Sequence, residues 1–186
     1  MDHVFDIVVD AQNDFMRPDG KLYVPNADTI IAALQQYIGS LDGQGVLFTF
    51  DTHIAGVYEK SEEAKQFPIH CVKPTEGWQL AIDRSVVKVP MFTLEKGVFN
   101  MWQQPAFVHG HNIIIDREEF FEDLLAHGIT TLRFSGVAAD YCVKWGIEGG
   151  LDHGFEVQVI ASLTMGIERD MHRVVQDDFA GRVTVV

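Results

Sequence analysis

The sequence predicts an α/β fold, with an open, mostly parallel sheet flanked by helices on both faces. Short runs rich in β-branched and aromatic residues alternate with longer stretches of helical period, which is the pattern of parallel strands joined by helices. The 186 residues are 47% hydrophobic and 22% charged, so the chain can bury a full core. No internal repeat or low-complexity linker divides it. We therefore expect a single domain over residues 1–186.

The first strand, helix and second strand have the clearest local signals. Val4–Val9 is predicted as a strand. Asn26 is expected to cap a helix whose apolar positions, from 30 to 38, lie on one face, and Gly43 ends it. Residues 45–50 are apolar on both faces, as a central parallel strand must be. This unit predicts the start of a parallel sheet.

The remaining elements continue the alternation. Residues 86–89 are expected as a weaker third strand. Asp116 followed by Glu119 matches a capping box, which predicts a helix that ends at Gly128. Further on we expect a strand at 130–134, a turn at Ser135-Gly136, a helix from about Cys142, a strand at 155–160, a helix at 168–179 and a strand at 183–186. Residues 51–85 show no period, and so long a loop in a compact domain is usually functional.

The charge and cysteine content exclude several functions. Against 14 Lys and Arg stand 27 Asp and Glu, a formal net charge of -13, which repels phosphate backbones and anionic lipid headgroups. We expect neither a nucleic-acid nor a membrane partner. The two cysteines, Cys71 and Cys142, have no CxxC spacing, which predicts a reducing, cytoplasmic compartment without disulfides. The signatures of dinucleotide, NTP and serine-hydrolase sites are also missing from the sequence.

Reactive side chains are predicted at the carboxyl ends of the strands, where open α/β sheets bind ligands. Asp10 closes the first strand and Asp51 the second, Lys96 lies in a later loop, and Cys142 opens a helix. A helix N-terminus and a nearby ammonium lower the pKa of a thiol and favour the nucleophilic thiolate. Each residue also has an ordinary structural explanation when taken singly. Cys142 can be a small buried apolar residue, Asp10 can form a turn, and Lys96 can be exposed to solvent. Together they predict an acyl-transfer site.

The proposed roles within that site follow from ordinary acyl-transfer chemistry. Asp10 can accept the thiol proton and return it to a leaving amine. The backbone N–H groups of Ala138 and Cys142 can form an oxyanion hole. Aromatic residues predict a pocket suited to a flat ring, and these are Phe15, Phe99, Trp102 and Tyr141.

A metal site is a second hypothesis. Asp51, His53 and His70 are ligands suited to zinc, iron or manganese, with positions left open for water or substrate. Three acidic residues lie between the two histidines, and one of them can complete the set: Glu59, Glu62 or Glu63. Because the chain has eight histidines, a chance grouping remains the alternative.

Five ordered motifs resemble one known family. They are Asp10-Ala11-Gln12-Asn13-Asp14-Phe15, Asp51-Thr52-His53, Phe67-Pro68-Ile69-His70-Cys71, Glu95-Lys96 and Gly136-Val137-Ala138-Ala139-Asp140-Tyr141-Cys142-Val143. Together they look like the isochorismatase-like cysteine hydrolases, and within them the nicotinamidases, from the first strand to about residue 162. The resemblance implies the isochorismatase-like, Rossmann-like three-layer fold of that family. Five motifs in order are far more specific than any one of them.

The resemblance implies roles for the reactive residues. Cys142 matches the family nucleophile, Asp10 the general base and Lys96 its electrostatic partner. The family also has a cis peptide at the position of Val137–Ala138, which turns N–H groups toward the oxyanion.

Further implications concern the metal and the substrate ring. A divalent metal, zinc first and iron or manganese otherwise, is expected at Asp51, His53 and His70, and in some members at the position of Glu63. In nicotinamidases this metal holds the pyridine nitrogen, and the residue matching Phe15 packs on the ring. Relatives commonly form dimers or tetramers, so the resemblance also implies a homo-oligomer.

Some positions depart from the family pattern and leave the substrate open. Ala139 stands where the family often has Thr, Pro74-Thr75 replaces a common Gly-Thr, and residues 99–102 differ from the usual small residues. The expected reaction is hydrolysis of a small planar carboxamide, nicotinamide first, to the acid and ammonia through a thioester on Cys142. The alternatives are another small amide or ureide, an isochorismatase activity on a vinyl ether, and a non-catalytic ligand-binding protein of this fold.

Overall fold

A computed structural model describes residues 3–110 and 112–186. One sheet contains the strands β1 (Val4–Val9), β2 (Val46–Asp51), β3 (Met91–Lys96), β4 (Phe107–Gly110), β5 (Ile113–Asp116), β6 (Thr131–Val137), β7 (Glu156–Met165) and β8 (Val183–Val185). The helices are α1 (Asn13–Met16), α2 (Ala27–Gly39), α3 (Arg117–Ala126), α4 (Lys144–Asp152) and α5 (Met171–Val174). Wide π-helical turns precede α4 at Ala139–Val143 and follow α5 at Val175–Phe179.

The spatial order of the strands is β5-β4-β3-β2-β1-β6-β7-β8. Strands β3, β2, β1, β6, β7 and β8 are parallel, and the hairpin of β4 and β5 adds two antiparallel strands at one edge. This confirms the predicted open, mostly parallel sheet. Within the described ranges, none of the helices has the length and apolar composition needed to cross a membrane.

Side chains of the central strands alternate between two apolar cores. On β1, Phe5 and Ile7 face the core that contains Phe120 of α3 and Ile147 of α4. The side chain of Val8, the residue after Ile7, points into the other core, which α2 covers with Ile30, Leu34 and Ile38. This period of two in the strand, matched by helices on each face, produces the three layers.

Several predicted elements lie where the sequence placed them. The first strand has the predicted bounds, β2 and β6 to β8 overlap their predictions, and α2 and α3 cover the predicted helices. Asn26 precedes α2 but makes no side-chain capping bond. Asp116 caps α3 by accepting the N–H of Glu118 at 2.9 Å, one residue before the predicted Glu119. The segment from 52 to 90 has no strand and only short 3-10 turns, at Tyr58–Lys60, Glu63–Lys65, Glu76–Trp78 and Arg84–Val86.

The third predicted strand, at 86–89, is wrong. On the side away from β1, β2 pairs with β3, which begins at Met91. The valines before it instead pack as half-buried side chains on the core under α2, so their β-branched character serves packing and not sheet pairing. The hairpin of β4 and β5 had no local signal strong enough to predict it, since each strand has only four residues.

The predicted turn at Ser135-Gly136 lies inside β6, which is a second correction. Gly136 has φ +107°, and a Cβ there would lie 2.1 Å from the carbonyl oxygen of Val9 on β1. Glycine is therefore required for the close approach of two adjacent strands, and not for a chain reversal.

A buried arginine fixes the segment after β3. Arg117 is 5% exposed and donates to the carbonyl oxygens of Met101, of Gln104 at 2.6 Å and of Trp102 at 3.1 Å. Its guanidinium also lies 5.5 Å from the centre of the Trp102 ring. The chain from 101 to 104 thus depends on one side chain for its carbonyl hydrogen bonds.

We expect the substitution Arg117→Met to lower the free energy of unfolding by about 2 kcal/mol or more, because it leaves buried carbonyls without donors. The matched control is Arg173→Met, which removes an exposed pair with Asp177 and should cost no more than about 0.5 kcal/mol. Urea unfolding of the three proteins gives both values. Equal losses for the two variants would contradict this account.

Candidate active site

The site lies where the order of strands reverses. The chain runs outward from β1 to β2 and β3 on one side and to β6 on the other, and such a switch point is where open α/β sheets bind ligands. Asp10 follows β1, Asp51 ends β2 and Cys142 follows β6. Lys96 is the last residue of β3 and does not lie in a loop as expected. Its place at a strand end brings its side chain to the same edge as the others.

The four predicted reactive residues meet around the side chain of Lys96. The Nζ atom of Lys96 lies 2.7 Å from Oδ2 of Asp10 and 3.5 Å from Oδ1 of Asp51. The same Nζ lies 3.6 Å from the Sγ of Cys142. All four side chains are buried. The structure thus brings together a thiol, an ammonium and two carboxylates that the sequence separates by up to 132 residues (142 minus 10).

Thr49 holds the general-base candidate and was missed by the sequence analysis. Its hydroxyl donates to Oδ1 of Asp10 at 2.6 Å and accepts the backbone N–H of Asp10 at 3.2 Å. Asp10 has φ +47°, an uncommon conformation that this pair of bonds stabilises. A polar residue in the otherwise apolar run of β2 was the available signal.

The environment of the thiol differs from the expectation. Burial raises the pKa of the Cys142 thiol, Lys96 lowers it, and Asp10 and Asp51 raise it again, so that the net shift is well upward. Burial lowers the pKa of Lys96, but Asp10, Cys142 and Asp51 outweigh this and raise it well above its usual value. The prediction of a thiol with a lowered pKa is therefore wrong for the free site, because desolvation and two carboxylates exceed the effect of one ammonium.

The backbone beside Cys142 is tightly defined. The peptide bond between Val137 and Ala138 is cis, as the family resemblance implies. The carbonyl oxygen of Ala138 accepts the N–H groups of Tyr141 and Val143, each at 3.1 Å. The π-helical turn holds Cys142 at the amino end of α4. The oxyanion-hole role of the Ala138 and Cys142 N–H groups stays a prediction.

The four predicted metal ligands form one buried group. Oδ2 of Asp51 lies 3.0 Å from Nε2 of His53 and 2.9 Å from Nε2 of His70. Oε1 of Glu63 lies 3.4 Å and 3.3 Å from the same two nitrogens. Nδ1 of His70 lies 2.8 Å from the carbonyl oxygen of Pro68, so that its Nε2 faces the group.

The chemistry of this group fits a divalent metal. Two imidazole nitrogens and two carboxylate oxygens lie within 4.8 Å of one another, a donor set suited to zinc and similar ions. Oε1 of Glu63 is buried and makes no hydrogen bond within the described part of the chain, although it lies 3.3 Å from Nε2 of His70. Buried carboxylate oxygens without donors are costly unless a cation offsets them. Glu63 completes the set, while Glu62 is exposed and pairs with Lys65.

Gln12 orients the metal-ligand candidate Asp51 and was not predicted. Its side-chain amide donates to the carbonyl oxygen of Asp51 at 2.9 Å and accepts the N–H of Asp51 at 2.8 Å. It also donates to the carbonyl oxygen of Trp78 at 2.9 Å. This fully buried amide therefore links α1 to the end of β2 and to the long loop.

A small apolar cavity adjoins the thiol. Its interior offers a volume of about 20 Å³ to a water-sized sphere, which is room for about one water molecule. The predicted residues Phe15, Phe99 and Tyr141 line it. The remaining lining residues, apart from Cys142 and Ala138, are Leu22, Val24, Phe67, Val137 and Ile167. Its lining is apolar and largely aromatic, and the lining side chains must move apart before a ring can enter.

Trp102 does not lie among these lining residues, which corrects the prediction. Its ring stacks on His153 at 4.2 Å and packs on Phe121 at 4.6 Å between ring centres. The bonds from Arg117 to the 101–104 segment draw it into the core instead. Trp145 lines a neighbouring groove together with Phe67, Phe99 and Tyr141, and its ring stacks on Phe99 at 6.1 Å between ring centres.

Comparison with known proteins places the chain in a family. A family model described as the Isochorismatase domain matches residues 6–186. The chain belongs to the isochorismatase family. It is 26% identical to a nicotinamidase/pyrazinamidase of Mycobacterium tuberculosis over 88% of this chain and 87% of that protein. It is also 26% identical to a nicotinamidase of Saccharomyces cerevisiae over 97% of each.

A solved structure agrees with this placement. The crystal structure of a pyrazinamidase from Pyrococcus horikoshii in complex with zinc superposes with a TM-score of 0.76 at 26% identity. The match covers 99% of this chain and 98% of that one. The fold predicted from the sequence is therefore confirmed over nearly the whole isochorismatase-family chain.

We expect Glu63→Gln to weaken the binding of Zn²⁺ by about tenfold or more. The substitution replaces a negatively charged carboxylate ligand with a neutral amide. Glu62→Gln is the matched control, since its carboxylate faces Lys65 and not the histidines. Isothermal titration of the metal-stripped proteins with zinc chloride measures both affinities. Unchanged binding in the Glu63 variant would remove Glu63 from the metal site.

Proposed function

We propose that this isochorismatase-family protein is a nicotinamidase, which hydrolyses nicotinamide to nicotinate and ammonia through a thioester on Cys142. The contact of the Lys96 ammonium with both Asp10, at 2.7 Å, and the Cys142 sulfur, at 3.6 Å, carries the proposal. The nicotinamidases among its relatives, at 26% identity over most of the chain, support nicotinamide as the substrate.

The acylation step begins with a protonated thiol. Asp10 accepts the proton of Cys142 while the sulfur attacks the carboxamide carbon, so that a carbon–sulfur bond forms and the carbonyl oxygen gains the negative charge. Lys96 lies between the two groups and stabilises both the carboxylate before the transfer and the thiolate during it. When the carbonyl re-forms, the carbon–nitrogen bond breaks and Asp10 returns its proton to the leaving nitrogen, which departs as ammonia.

The deacylation step uses the same residues. Asp10, again a carboxylate, accepts a proton from water as its oxygen attacks the thioester carbon. The carbon–sulfur bond breaks, Cys142 regains the proton and the carboxylic acid leaves. The N–H groups of Ala138 and Cys142 are the proposed donors to the oxyanion in both steps.

The metal-ligand group accounts for the preference for a pyridine ring. Asp51, His53, Glu63 and His70 would hold a divalent ion, which supplies a Lewis-acidic anchor for the ring nitrogen when bound. Phe15 and Phe99 border the cavity next to Cys142 and contact the edge and face of a bound ring in this assignment. His70 joins the two regions, because its ring lies 5.2 Å from Phe15.

Three finer points belong to the same proposal. Zinc is the proposed ion, on the strength of the donor set and of the zinc-bound pyrazinamidase. Both cysteines are free and buried, which fits a reducing, cytoplasmic compartment. Self-association into a homo-oligomer follows the family resemblance and is measured by light scattering.

The first test is ammonia release from a panel of small carboxamides headed by nicotinamide. We expect Cys142→Ser to lower kcat by at least about 1,000-fold, since the hydroxyl is a far weaker nucleophile in a site built for a thiol. Cys71→Ala is the control for loss of a buried thiol, because Lys96 pairs with Asp10, Asp51 and Cys142, and it should retain activity. Metal-stripped wild-type protein should lose activity and recover it with zinc. If wild-type protein loaded with zinc releases no ammonia from nicotinamide, the substrate assignment is wrong.

A second test concerns the positioning of Asp10. Thr49→Val keeps the shape of the side chain but removes the hydroxyl bonded to Asp10, so kcat should fall by about tenfold. The control is Thr93→Val on β3, whose hydroxyl has only a 3.5 Å contact with a carbonyl oxygen of β4. Steady-state kinetics on nicotinamide compare the two. Equal effects would show that Thr49 acts only through stability.

A further inference from the structure

Asp140, two residues before Cys142, has no role in the proposed reaction. Its carboxylate instead binds a turn of the chain. Oδ1 of Asp140 accepts the N–H of Ile167 at 2.9 Å. Oδ2 accepts the N–H groups of Glu168 at 2.7 Å and of Arg169 at 3.0 Å. One carboxylate thus binds three successive backbone N–H groups of the chain that follows β7. Charge-assisted bonds of this kind are stronger than neutral ones.

The turn itself is closed and lies against the segment that carries the nucleophile. A Cβ added at Gly166 would lie 1.9 Å from the carbonyl oxygen of Arg169 and 3.1 Å from the Cβ of Ala139. The guanidinium of Arg169 bonds Asp178 at 3.1 and 2.9 Å, which fixes the far end of the turn. The turn, residues 166–169, is therefore held from both sides.

Ile167 is the member of this turn that faces the cavity. Its side chain lines the small apolar cavity together with Cys142, Ala138 and Tyr141, while its own N–H is bonded to Asp140. Asp140 lies two residues before Cys142 in the same π-helical turn. The position of one cavity wall is thus tied directly to the backbone that positions the thiol.

We propose that Asp140 is a positioning residue. Through the turn 166–169 it holds Ile167 against the cavity next to Cys142, and Ile167 thereby determines which ring substituents a carboxamide can carry. The identity of the substrate rests on the proposed function, but the control of access to the thiol does not. In wild-type protein the wall excludes substituted rings, and releasing the turn admits them.

The kinetic test compares nicotinamide with its monomethylated ring derivatives. We expect Ile167→Ala to raise kcat/KM for at least one derivative relative to nicotinamide by about tenfold, since one methyl group in an apolar pocket is discriminated to that extent. Asp140→Asn places an NH2 donor against one of the three N–H groups and so weakens the turn. The ratio of kcat/KM for the methylated derivative to that for nicotinamide should rise by about threefold, mainly through KM. Both variants keep Asp10, Lys96 and Cys142.

The matched control is Asp170→Asn. Asp170 caps α5 by accepting the N–H of Arg173 at 2.8 Å, so its loss destabilises the neighbouring helix without touching the cavity. It should leave the substrate preference unchanged. Equal relaxation in Asp140→Asn and Asp170→Asn, or an unchanged preference in Asp140→Asn, overturns the proposal.

A second readout does not require turnover. The rate of Cys142 alkylation by small iodoacetamide, divided by the rate with bulky N-phenylmaleimide, is followed by mass spectrometry of the labelled peptide. The ratio should fall at least threefold in Ile167→Ala and in Asp140→Asn, and stay constant in Asp170→Asn. If wild-type protein does not hydrolyse nicotinamide but these ratios change as expected, only the proposed function fails. Should Asp140→Asn not fold, Asp140→Ser, whose hydroxyl accepts one of the N–H groups, replaces it in both assays.

Discussion

The buried ammonium of Lys96 holds the two halves of the site together. A buried cation is costly unless carboxylates compensate it, and here Asp10 and Asp51 lie 2.7 and 3.5 Å from its Nζ atom. Because those carboxylates end β1 and β2 while Cys142 follows β6, the relative positions of four strand ends depend on this one charge. Asp51 also belongs to the metal-ligand group, so the same ion pair connects the thiol region to the ring-binding region.

The charge balance explains why the general base is needed. Burial raises the pKa of the Cys142 thiol, and Asp10 and Asp51 add to this rise while Lys96 opposes it. A thiol of this kind is unreactive by itself and becomes a nucleophile only when an adjacent group takes its proton. Asp10, held by Thr49 on one oxygen and by Lys96 on the other, is placed to do so.

The long segment between β2 and β3 is irregular yet fixed at specific points. His53 exchanges backbone hydrogen bonds with the chain at Cys71 and Lys73, each at 3.0 Å. The hydroxyl of Tyr58 donates to the carbonyl oxygen of Phe67 at 3.0 Å. These tethers bring His53 and His70 beside Asp51 although the loop has no strand and only 3-10 turns between them. Backbone bonds and one tyrosine hydroxyl thereby give this loop a defined shape.

The sequence by itself determined the class of sheet, its central strands and the residues at their ends, because strand and helix periods are local and parallel strands end at one edge. It also supplied the family motifs that single out Asp10, Lys96 and Cys142. The tertiary structure decided the place of β3, the packing of Trp102 in the core, the partners of Thr49 and Gln12, and the upward shift of the thiol pKa. Each of these depends on burial or on contacts between residues far apart in the chain, and such contacts leave no periodic signal in the sequence.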